Sequence, residues 1–206
     1  MGIDDYANYL AVMVFGTNDE PLRRYVNRAY RDLSRTLHTD GSGDSRTVRV
    51  DGCRDVLIKR LKEAREHGGG VTSQESFDAW HDRTCADLVG TFGEGMFYGH
   101  AQKWVNMSLE YLFTAHGLGL EDIGEIATWY RGAHLPVDRV IVEALYRDGF
   151  AHEPRPTVWS QLDEASYVAF QKSVCEFYKE ECRMDIDFRL WREGTAARRT
   201  AARQEK

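Results

Sequence analysis

Apolar residues along this chain recur mostly at three- and four-residue steps, the spacing of helix faces rather than strands. Leu22, Tyr25, Val26, Ala29, Tyr30, Leu33 and Leu37 mark one face of a helix. Asn18-Asp19-Glu20-Pro21 opens it with an Asx cap, an acid and a first-turn proline. Val56, Leu57, Leu61 and Ala64 predict a helix over 53–67, ended by Gly68-Gly69-Gly70. Ser73-Gln74-Glu75-Ser76 starts another, with Phe77, Trp80, Thr84 and Leu88 inward. Residues 6–15 are apolar enough for a short buried helix.

The longest predicted helix covers 97–116. Ala101, Trp104, Val105, Ser108, Leu109, Leu112 and Phe113 form a wide apolar arc, extended by Met107 and Tyr111. Only Lys103, Asn106 and Glu110 remain as a narrow polar strip, so this helix belongs at the centre of the fold. Shorter helices follow over 120–130 and 136–146. Pro154-Arg155-Pro156 is a stiff connector. Ser160-Gln161-Leu162-Asp163 reads as a variant capping box for a helix through Tyr167, Phe170, Val174, Phe177 and Tyr178. A last short helix over 185–191 packs through Ile186, Phe188 or Leu190, and Trp191.

Two segments break the pattern. Residues 39–45 are a loop by composition. Thr47-Val48-Arg49-Val50 alternates like a strand but has no partner strand in the sequence. The expected fold is all-α: a compact single-domain orthogonal bundle of about eight helices. Its helical domain spans 1–193, divisible into an N-terminal lobe 1–70 and a core 71–193. A flexible basic tail, 194–206, follows.

Composition narrows the function classes. The formal net charge of −6 argues against wrapping duplex DNA, which leaves a basic footprint. Arginines do cluster at Arg23, Arg24, Arg28, Arg31 and Arg35, and in the tail at Arg198, Arg199 and Arg203. The first cluster reads as a solvated helix face or as a partner-binding surface. Acids at Asp4 and Asp5 do not suit a secretory leader, and no apolar run has the length of a membrane span. The expectation is a cytoplasmic protein without a membrane partner, its four cysteines reduced.

The candidate chemistry lies in two segments. Tyr98-Gly99-His100-Ala101-Gln102-Lys103-Trp104-Val105-Asn106 puts a lysine early on the central helix. His134-Leu135-Pro136-Val137-Asp138 puts a carboxylate in the first turn of another. Asp138 can serve its own helix through the dipole, or stay ionised at a cleft mouth to stabilise a cation or take a proton. Lys103 can be solvated or, partly desolvated, act as a nucleophile. Gln102, Asn106, Trp104, His134 and His100 are candidate pocket-lining residues. His81-x-x-x-Cys85 and the Cys175/Cys182 pair do not make a zinc cassette, and Cys85 and Cys175 fall among core positions. Neither metal nor other cofactor is expected.

A glycine, a lysine-bearing helix, then Pro136-Val137-Asp138 opening the next core helix resembles the catalytic half of the helix-hairpin-helix DNA glycosylase superfamily. The resemblance covers about 45 residues. It implies catalytic roles for Asp138 and Lys103: a carboxylate that stabilises an oxocarbenium-like state, and a lysine that attacks the sugar. The family's Gly-hydrophobic-Gly hairpin has no counterpart before Lys103. The 35-residue step from Lys103 to Asp138 adds a helix between them. The implied function is a glycosylase-like hydrolase acting on a nucleobase, nucleotide or nucleic acid. The alternative is a non-catalytic helical module that binds a protein or nucleic-acid partner.

Overall fold

The computed structural model describes residues 3–17, 20–38, 43–179 and 181–204, and among these there is no strand. Eight α-helices follow in order: α1 Ile3–Phe15, α2 Pro21–Leu33, α3 Gly43–His67, α4 Gln74–Phe92, α5 Tyr98–Gly117, α6 Arg139–Arg147, α7 Glu164–Tyr178 and α8 Arg183–Gln204. Three 3-10 turns, Gly68–Gly70, Gly124–Trp129 and Trp159–Gln161, fill the connections. The fold is all-α, as the apolar spacing predicts. Among the described residues no helix is long and apolar enough to cross a membrane.

Helix α5 is the axis. Fifteen of its 20 residues are buried, the polar Gln102, Lys103, Asn106 and Ser108 among them. α2 and α4 pack on it from two sides, and the Trp159–Gln161 turn crosses its start. There Gly99 is required by space. A Cβ would collide with the Trp159 carbonyl, and the Gly99 amide donates to Leu162 O at 2.9 Å. Trp104, fully buried, faces α2: its indole donates to Val26 O at 2.9 Å. Burying such side chains contributes roughly 1.5–3 kcal/mol each. Buried apolar residues from Ala11 to Leu190 form one continuous core.

Several expectations change. Residues 47–50 are helical, inside α3. Val50 continues the buried face of Cys53, Leu57, Leu61 and Ala64 at helical spacing, and Val48 points to solvent. A lone strand would leave its backbone groups unpaired, so the helical face wins. Of the expected loop, 39–42 lie outside the described residues, and α3 already covers 43–45. Over 120–130 the helix is reduced to a 3-10 turn, because Asp122 Oδ1 accepts from Gly124 N and starts a tight turn. The triple glycine turns the chain with φ of +67°, +57° and +76°, where side chains are strained.

α1 is not buried. It contributes only the Ala11 and Phe15 stripe, with Phe15 against the Tyr25 ring at 4.9 Å, and leaves Tyr9, Leu10 and Met13 more than half exposed. Asn18 and Asp19 lie outside the described residues, and Glu20 stands at the α2 N-cap, followed by Pro21. α8 runs on through the segment read from sequence as a tail. Its buried contacts come from Met184, Ile186 and Leu190, while Phe188 and Trp191 are exposed. Cys175 is exposed rather than in the core. α7 turns the facing positions Gln171 and Val174 inward instead.

Candidate functional site

Lys103 and Asp138, 35 residues apart, meet: Nζ lies 2.7 Å from Oδ2. Asp138 sits one step earlier than the sequence suggests. It is the N-cap of α6, extended at φ −141°, and its Oδ1 accepts from Ile141 N at 2.9 Å. Capping aims one carboxylate oxygen back at α6 and leaves the other for the lysine. Lys103 Nζ also contacts Met107 Sδ at 3.1 Å, one turn further along α5. The side chains keep 5% and 17% of their exposure, so the pair is shut on the lysine side.

Burial alone would discharge both groups. It pulls the lysine down, but the charge and hydrogen bond of Asp138 outweigh it and hold the ammonium above its ordinary value. Burial likewise pushes Asp138 up, and Lys103 with the α6 amides brings it below the usual carboxylate range. Both directions agree on an ionised pair. Beside it lie two more carboxyls, Glu110 on α5 and Asp187 on α8, hydrogen-bonded to each other. Burial pushes Glu110 up to about 7 against the pull of Lys103, and burial with the Glu110 charge raises Asp187 well above its ordinary value. One ammonium thus faces three carboxyls, and burial holds two of them, side by side, above the usual carboxylate range.

Beside this pair on α5 runs a second polar network. Gln102 Nε2 donates to Gly99 O at 2.9 Å and Val137 O at 2.8 Å. Its Oε1 accepts from Val137 N and Asn106 Nδ2, both at 3.1 Å. All four of its valences are used, and they pin α5 to the segment before α6. Asn106 Nδ2 also donates to Tyr167 OH at 2.8 Å, and Oδ1 faces His81 Nε2 at 3.0 Å. Tyr167 OH reaches His134 Nδ1 at 2.9 Å, and His134 Nε2 reaches Asp78 Oδ1 at 2.9 Å. These partners assign the protons: His134 carries its hydrogen on Nε2, toward the carboxylate, and accepts from the tyrosine on Nδ1. Burial, with His81 alongside, depresses His134 to about 3, so it is neutral at pH 7.

Of the residues singled out from sequence, Lys103 and Asp138 are together, and Gln102, Asn106 and His134 share the network. Trp104 faces α2 instead. His100 accepts from Phe97 N at 3.2 Å and bonds Thr36 O at 3.0 Å, away from both groups. Sequence reading missed Asp187, Tyr167, Asp78 and Gln171. Asp187 lies within the helix expected over 185–191, where only the apolar positions carry a pattern; Tyr167 reads as a packing position, and Asp78 and Gln171 are single polar residues without a pattern.

The arginines of α2 are largely committed. Arg23 binds Asp55 at 2.6 Å, Arg24 binds Glu121 at 2.7 Å, and Arg28 binds Asp32 while lying over the Tyr111 ring. The side chains of Arg198, Arg199 and Arg203 lie outside the described residues. His81 and Cys85 are 3.8 Å apart, and burial pushes that thiol up, so it stays protonated. Among the described residues no group of three or more His, Cys, Asp or Glu side chains is arranged to hold a metal ion. Comparison with protein-family models, curated proteins and solved structures finds no match to this chain.

Proposed function

We propose that this protein recognises a small polar ligand and does not remove bases, its Lys103–Asp138 pair holding α5 to α6 in place of attacking a sugar. The observation that carries this reading is the closure of the pair. The ammonium is taken up by Asp138 and Met107, and the carboxylate by Lys103 and the α6 amide. A nucleophilic lysine needs a free, neutral amine, and the bridge keeps this one charged. Five cavities of 320–510 Å³ elsewhere among the described residues are lined by neither group. Commitment of three α2 arginines to acids on the chain itself supports a small ligand over a long nucleic acid.

One feature favours the glycosylase-like reading: an acid at a helix N-terminus 2.7 Å from a lysine is the pair that reading requires. The two readings separate in one assay. The full chain is incubated with single- and double-stranded oligonucleotides that carry uracil or an abasic site, with borohydride to reduce any imine. The recognition reading expects neither free base nor a protein–DNA adduct. Either product, lost in Lys103→Met or Asp138→Asn, would establish the enzymatic one.

A further inference from the structure

Helix α1 is apolar on two opposite faces. One stripe, Ala11 and Phe15 with the half-buried Ala7, lies toward α2. The Phe15 ring also meets that of Tyr111 on α5 at 5.5 Å. The other stripe is Tyr6, Tyr9, Leu10 and Met13, which stand 55%, 63%, 60% and 66% exposed. Their spacing, i, i+3, i+4 and i+7, lines one side of a helix. Val12 and Val14 flank it, each nearly half exposed. Of the fourteen large apolar side chains exposed among the described residues, these six share one helix of 13 residues.

At about 150–250 Å² for a large side chain, the six leave roughly 600 Å² of apolar surface in water. The largest patch on a typical monomer is about 300–600 Å². A specific dimer hides about 600–1,000 Å² on each copy. Charge and symmetry decide what covers the patch. α1 has no lysine or arginine, and beyond its tyrosines its polar residues are Asp4, Asp5 and Asn8. A helix that lies in a lipid surface sets a cationic face against the headgroups, which this one lacks, and the chain carries a net charge of −6. The exposed stripe is instead complementary to itself. About a two-fold axis between Tyr9 and Leu10, Tyr9 of one antiparallel copy meets Leu10 of the other, and Tyr6 meets Met13. Each contact sets an aromatic ring against a flexible side chain, a favourable match for the thioether. A parallel pair would bring the acids of both copies side by side. The antiparallel pair separates Asp5 from its counterpart by roughly 13 Å along the axis, beyond the Debye length of about 8 Å.

We infer that α1 packs against α1 of a second copy of this chain, antiparallel, to form a two-fold dimer centred on Tyr9 and Leu10. Such a contact is isologous and closes after two copies, because each copy spends its whole patch on the other. The two patches together remove roughly 1,200 Å² from water, the lower bound of a specific interface. The dimer and the ligand reading are independent of each other.

The test is sedimentation equilibrium of the full chain across the micromolar range, where the species expected has twice the chain mass. Leu10→Glu combined with Met13→Glu puts two carboxylates from each copy into the seam and should raise the dimer dissociation constant by roughly a hundredfold or more. Both side chains are mostly exposed, so the far-ultraviolet circular dichroism of the variant should match that of a folded chain. Val48→Glu, at an apolar position 72% exposed on α3, should leave the dimer intact. Leu10→Cys, beside the axis, should form an intermolecular disulfide on oxidation, mapped by mass spectrometry. Tyr6→Cys should not, because the two copies of that position stand more than about 7 Å apart. A monomer throughout, a dimer that survives Leu10→Glu with Met13→Glu, or an equal disulfide yield from Tyr6→Cys would each overturn the pairing. A monomer that floats with phosphatidylcholine vesicles would overturn it in favour of a lipid surface.

Discussion

Asp138→Asn separates an architectural pair from a catalytic one. Asparagine caps a helix as well as aspartate does, so the bond from Ile141 N survives. Only the charge opposite Lys103 is lost. If Asp138 served its own helix alone, the change would cost the dipole contribution, about 0.3–1 kcal/mol. Here it strands an ammonium that is 95% buried as a side chain. Breaking one side of a buried pair costs about 3–5 kcal/mol. Partial exposure of Asp138 and the nearby Glu110 and Asp187 carboxyls place the expected loss at about 3 kcal/mol, the lower end of that range. For a chain of this size that lowers the thermal midpoint by roughly 6–12 °C. Adding Lys103→Met removes the stranded charge, so the double variant should be more stable than Asp138→Asn alone. Both are measured by calorimetry or thermal circular dichroism at pH 7. A midpoint within about 2 °C of wild type, under about 1 kcal/mol by the same scaling, would mean that the pair does not hold α5 to α6.

Further outcomes follow from the same geometry. The folded chain holds Glu110 near 7 against an ordinary value of 4.5, so it keeps a proton that the unfolded chain releases. This contribution to stability is lost as pH rises from about 4.5 to 7, and Glu110→Gln should flatten that limb of a midpoint-against-pH curve. His134 has the opposite sign: depressed from 6.5 to about 3, it gives stability that is present above pH 6.5 and lost as pH falls toward 3. His134→Gln should flatten the acid limb, checked in the same titration. Gly99→Ala should destabilise by several kcal/mol or prevent folding, because the Trp159 carbonyl is backbone that must move; soluble yield and midpoint read this out. Asn106→Leu leaves His81 Nε2 and Gln102 Oε1 without a shared partner and should cost about 2–4 kcal/mol by denaturant unfolding.

The fold was legible wherever one apolar face repeats. Phe77, Trp80, Thr84 and Leu88 on α4 are all buried as their spacing requires. α5 is central because its polar strip is too narrow to face water, and Lys103 and Asn106 are indeed buried. That same strip explains what the sequence could not convey. Lys103, Asn106 and Glu110 look alike as letters, yet Lys103 and Glu110 join α6 and α8 while Asn106 joins α4 and α7. Which neighbour a buried polar group meets is settled by helix crossing, and spacing along one helix says nothing of it. α1 shows the converse. Its composition reads as buried, but with α2 its chief neighbour only Ala11 and Phe15 find cover. Gln171 was invisible because one polar residue on an amphipathic helix carries no pattern.

Side-chain NMR of Lys103 Nζ with a pH titration separates a closed bridge from an open amine. A closed, ionised bridge predicts an ammonium signal protected from exchange and still protonated above the ordinary lysine value, with the Asp138 carboxyl titrating below its own. A Lys103 amine that exchanges freely and loses its proton near neutrality would contradict it, since that is the behaviour of a nucleophile waiting for substrate.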